Sequence, residues 1–137
     1  MRRSAEEEGR RWLDQAAEDL VSAELLAREG RHYLACFLAQ QVAEKAFKAV
    51  LYACGEPVVL GHSVARLGEQ AAERWPGLAD IARRSAELDA HYVPTLYPNG
   101  LPDGIPARVF GSESSERALT LAREVLGAVR RAWPGTS

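Results

Sequence analysis

Lys45 and Lys48 are the only lysines in this chain, and they stand together with Gln40, Gln41 and Glu44 in the stretch YLACFLAQQVAEKAFKAVLYAC, residues 33–54. Every other cationic side chain apart from histidine is an arginine. Two ammonium groups within one helical turn, with amides beside them, are suited to holding an anion. On a helix the five polar residues fall within an arc of about 140°, and the rest of the perimeter is apolar. Such a stripe has two readings. It is the wet face that any bundle helix needs, with Glu44 and Lys48 as an i,i+4 pair contributing a few tenths of a kcal/mol, or it is a binding groove or a dimer seam. His62, in the turn Gly61-His62-Ser63, sits immediately before a helix start, where its neutral imidazole can bond a free backbone N–H.

The helix carrying the stripe is apolar enough to be covered by more than one neighbour, as the central helix of a bundle is. Before it, Ser4 with Glu7 forms a capping-box pattern that opens a first helix through Leu13, Ala16, Leu20, Ala23 and Ala27, and Gly30 ends that helix. The short link Gly30 to His32 makes the two helices antiparallel. After Gly55 and Pro57, Ser63 is the expected N-cap of a third helix that runs to Trp75 and is broken by Pro76 and Gly77. A fourth helix is expected from Leu78 to about Tyr92 and a last one from Ser112 to Trp133. No convincing strand is present.

Between the last two helices lies YVPTLYPNGLPDGIPARVFG, residues 92–111. Prolines at 94, 98, 102 and 106 argue against helix there. Leu96, Tyr97, Leu101, Ile105, Val109 and Phe110 are apolar anchors that argue against disorder, so the loop is expected to pack across the bundle.

A chain of 137 residues is one domain with room for a core, and a net charge of −2 gives no general attraction to nucleic acid. Cys36 and Cys54 lie about 27 Å apart along one helix and cannot bridge, so they are expected to be reduced in a cytoplasmic protein. Residues 1–11 are charged and lack the apolar core of a secretory signal. Three charges in the central helix exclude a membrane span.

The residues Trp12, Ala16, Asp19-Leu20 and Ala23, then Tyr33, Phe37, Gln40-Gln41-Val42-Ala43-Glu44-Lys45-Ala46 and Lys48-Ala49, then Gly61-His62-Ser63, Leu67 and Tyr97-Pro98, together resemble the HEPN domain family. The name denotes a nucleotide-binding domain of higher eukaryotes and prokaryotes. The resemblance covers nearly the whole chain. It implies an all-α, up-and-down bundle of four long helices plus a short one, spanning residues 1–137 as a single domain. It also implies a homodimer that works with a separate minimal nucleotidyltransferase, often as a toxin–antitoxin pair.

Many members of that family are metal-independent endoribonucleases with an arginine, four to six residues, then a histidine. Arg84 and His91 fit this spacing. The resemblance would make His91 the general base or acid at a ribose 2′-hydroxyl and Arg84 the holder of the scissile phosphate. The same residues have a structural account, since Asp80–Arg84 and Glu87–His91 are i,i+4 pairs on one helical stripe. Where close relatives have an arginine before the Tyr-Pro of the long loop, this chain has Leu96.

The reading is a cytoplasmic, dimeric nucleotide- or RNA-binding module with no cofactor and no metal. Gln41, Glu44, Lys45, Lys48, His62 and Tyr97 are its candidate binding residues, and it makes no membrane contact. The alternatives are an endoribonuclease toxin using Arg84 and His91, and a structural dimer that only docks its partner.

Overall fold

A computed structural model describes residues 3–135. Helix α1 spans Ala5–Arg28 and α2 spans His32–Ala53. The Ser4 hydroxyl accepts from the Glu7 N–H at 3.1 Å, which caps α1, and Glu6, Glu7 and Glu8 lie in its first turn where the helix dipole favours them. Gly30, at φ +78°, reverses the chain, and the Arg31 N–H closes back onto the Leu26 carbonyl. The two helices therefore return antiparallel and pack along most of their length. A Cβ on Gly9 would meet the Ala49 carbonyl oxygen at 2.7 Å, so only glycine fits there.

Helix α2 is the hub. It also packs against α6, Ser112–Ala132, and α3, Val64–Arg74. Phe47, fully buried, is the largest of its side chains in the core, which α6 completes with Leu119, Ala122, Val125, Leu126 and Val129. Among the described residues there is no strand, and no helix is long and apolar enough to cross a membrane. The architecture is the expected all-helical bundle.

Two local expectations need correction. The fourth helix is not uniform: α4, Ala79–Ser85, tightens into a 3₁₀ segment, Ala86–His91. The long loop is not free of helix either. A 3₁₀ turn, Pro98–Gly100, and a one-turn helix α5, Pro106–Val109, each begin on a proline, whose missing N–H costs nothing at that position. Nor do all its anchors reach the core. Thr95 and Pro106 are buried and Phe110 packs on the core, but Leu96, Tyr97, Ile105 and Val109 stand exposed.

Candidate functional site

The polar stripe of α2 is not a wet face. Gln40, Glu44 and Lys48 are all buried: the turn before α3 and the 3₁₀ segment after α4 supply partners to Gln40 and Glu44, and Lys48 lies against Trp12 of α1. A buried polar group must find partners or cost several times what a good hydrogen bond returns. Here each has one. Glu44 sits at the centre, its Oε2 3.2 Å from the Lys48 Nζ and its Oε1 3.2 Å from the His62 Nδ1. The Gln41 amide donates to the Gln40 carbonyl oxygen at 2.8 Å, and the Gln40 amide donates to the His62 backbone carbonyl at 2.7 Å.

The row ends on a residue that sequence reasoning missed. Asp89 accepts from the Val64 N–H at 2.7 Å, the Ala65 N–H at 3.1 Å and the Ser63 hydroxyl at 2.9 Å, and Gln40 reaches it at 3.4 Å. Ser63 caps the Arg66 N–H as expected, but Asp89 satisfies the other free groups of that helix start. This overturns the backbone-bonding reading of His62. The N–H groups are taken, and the ring turns to Glu44 instead. Its outer side is open, with the side chain 59% exposed, and it stacks on Tyr92 at 5.1 Å between centroids. Tyr92 also stacks on Phe37 at 6.2 Å.

The expected pairing of Lys45 and Lys48 as an anion site does not form. Lys48 is buried against Glu44 and lies over the Trp12 ring at 5.6 Å. Lys45 leans the other way, to Asp19 on α1 at 2.5 Å. The groove of about 700 Å³ that it borders contains Glu8, Asp14 and Glu18 against Arg11 and Lys45, the wrong balance for a phosphate. Tyr97 is exposed on the long loop and joins none of these groups in a hydrogen bond or ring stack. The structure thus brings together Gln41, Glu44, Lys48 and His62, and sets Lys45 and Tyr97 apart.

Arg84 and His91 are also separated. The switch to 3₁₀ geometry lengthens the path between them to about 13 Å, at roughly 2.0 Å per residue. Arg84 donates to Asp80 at 2.9 Å and to Glu124 across on α6. These hydrogen bonds hold the Asp80 carboxyl below its ordinary value and raise Arg84 above its own. The expected Asp80–Arg84 pair is present. The Glu87–His91 hydrogen bond is not, because residues four apart in a 3₁₀ turn diverge by about 120°. Glu87 instead grips Arg117, which keeps its carboxyl low. His91 meets Phe110 edge-on at 5.6 Å, and its buried Nδ1 has no hydrogen-bond partner among the described residues. Burial depresses its pKa, and the negative charge of Glu87 offsets this only in part.

Burial pushes the Cys36 thiol up to about 11, so it stays protonated, and neither cysteine is in a disulfide. Among the described residues no three His, Cys, Asp or Glu side chains gather closely enough to hold a metal ion.

Comparison with known proteins agrees with this architecture. TT1696 from Thermus thermophilus is 34% identical, with a TM-score of 0.78 over 91% of this chain and 98% of that one. ST0689, described as an archaeal HEPN homologue, is 31% identical, with a TM-score of 0.72 over 96% of this chain and 98% of that one. No curated protein matches. The HEPN domain itself matches residues 10–132, nearly all of the bundle built around α2, and the chain belongs to the HEPN domain family.

Proposed function

We propose that this protein is a non-catalytic nucleotide- or RNA-binding module, working in the cytoplasm as a homodimer with a minimal nucleotidyltransferase in a toxin–antitoxin-like pair. The observation that carries the binding role is the ring group Phe37, Tyr92 and His62 at the open rim of the buried polar row. Aromatic and imidazole faces accept any nucleobase by stacking, at about 1–3 kcal/mol per base. They need no basic surface, which suits a chain of net charge −2. The dimer is supported by exposed apolar side chains on the loop, Leu96, Tyr97, Ile105 and Val109, and on α1, Val21 and Leu25. The partner rests on the family alone. Titration of single-stranded RNA into the wild type and His62→Ala tests the reading. The variant is expected to bind about tenfold more weakly, and equal affinities would remove the site.

The rival endoribonuclease draws on one observation, the unpartnered and depressed His91, which is neutral as a general base must be. Against it, Arg84 is already neutralised by two carboxylates in a groove with Glu87, Glu113 and Glu116.

A further inference from the structure

The histidine at this rim is held in one tautomer, and that decides what it can recognise. The Glu44 carboxylate, paired on one oxygen with Lys48, can only accept hydrogen bonds. The Nδ1 of His62, 3.2 Å from the other oxygen, must therefore carry the proton. In the neutral ring this leaves Nε2 as the acceptor of a side chain that is more than half exposed. The backbone is fixed as well, since Gln40 donates to the His62 carbonyl at 2.7 Å.

An acceptor lone pair lies in the plane of the imidazole and points outward from its edge. A base stacked on the ring face lies parallel to it, so its exocyclic amines do not meet that lone pair. The sugar of a stacked or adjoining nucleotide lies out of the base plane and can approach the ring edge. Ribose brings a 2′-hydroxyl donor there, and deoxyribose brings none.

We infer that His62 makes this site selective for ribonucleotides, its Nε2 accepting a hydrogen bond from a ribose 2′-hydroxyl while Glu44 acts as the positioning residue that keeps Nε2 an acceptor. The inference rests on the base-stacking reading and adds the sugar to it. A hydroxyl satisfied in this way should favour RNA over DNA of the same sequence by about tenfold, the usual return of one good hydrogen bond.

The test is equilibrium binding of a short oligoriboadenylate and its deoxy counterpart, in EDTA at about pH 8, where histidine is ordinarily neutral. Wild type and His62→Phe are compared, and nitrogen-15 NMR of the wild-type imidazole reads the tautomer. Phenylalanine preserves a stacking ring at an exposed position and removes the acceptor. The expected result is an RNA preference in the wild type, equal binding of both oligonucleotides by His62→Phe, and an Nδ1–H tautomer. Equal wild-type binding of RNA and DNA would overturn the ribose assignment and leave the stacking site standing. Binding of neither would overturn both. An Nε2–H tautomer would overturn the assignment whatever the affinities.

Discussion

Two regions of this protein carry similar residue types and treat them in opposite ways. On α2, Gln40, Glu44 and Lys48 look like surface residues and are buried in a saturated network that reaches His62 and Asp89. On α4 and the 3₁₀ segment after it, Arg84 has the sequence spacing of a catalytic pair with His91, yet it spends its guanidinium on surface carboxylates. Spacing along a helix indicates which side chains share a face. What covers that face, and so whether its charges are structural, available or idle, is decided by elements far away in the chain.

The sharpest way to break the contrast is at Glu44. Removing one partner of a buried ion pair strands the other, so Glu44→Ala is expected to lower stability by about 3–5 kcal/mol in denaturant unfolding. Glu44→Leu combined with Lys48→Met should recover most of that loss. If Glu44→Ala costs no more than a surface substitution, the row is wet after all. Next in size is Asp89→Ala, which leaves two backbone N–H groups and the Gln40 amide short of an acceptor. A loss of about 2 kcal/mol is expected, with α3 the first helix to gain amide hydrogen exchange.

A smaller effect belongs to His91. Its pKa is depressed below 6.5 in the folded state, so the unfolded chain binds the proton more readily. Its contribution is intact above 6.5 and is lost as pH falls through the lower folded value. Denaturant midpoints should therefore decline between neutral pH and the range where Asp80 and Glu87 titrate, both below their ordinary 3.8 and 4.5. His91→Phe should flatten the first part of that decline, and an unchanged slope would mean that the imidazole is hydrated. Smallest of all is Arg84→Ala, whose ion pairs are exposed and exchange readily with water. Its melting temperature and its RNA affinity should match the wild type.

Much of the fold was legible in local signals. Ser4, Gly30 and Ser63 mark helix ends that the structure keeps within a residue, because caps act over three or four residues, and the last helix starts at Ser112 as expected. The prolines of the long loop misled because the same residue that breaks a helix interior opens a helix at its first position, as Pro98 and Pro106 do. The site was half legible. Glu44, Lys48 and His62 lie in the motif QQVAEKAFKA and the turn that follows α2, but the row they belong to runs through Gln40 to Asp89, 45 residues beyond Glu44. Asp89 caps a helix that starts 25 residues before it, and no local pattern announces such a cap. Tyr92 drew notice only as the end of a helix. Its role emerges once the 3₁₀ segment brings it against His62 and Phe37.

The proposal that the rings beside α2 bind RNA, and that Arg84 and His91 do not cut it, stands or falls on the fate of the RNA itself. One experiment addresses both halves: labelled single-stranded RNA incubated in EDTA with wild type, Tyr92→Ala, Arg84→Ala and His91→Ala, reading bound fraction and cleavage together. Intact RNA is expected throughout, with binding weakened about tenfold in Tyr92→Ala and unchanged in Arg84→Ala and His91→Ala. Cleavage by the wild type that disappears in both Arg84→Ala and His91→Ala, with the helical fold intact, would contradict it and make the protein an endoribonuclease.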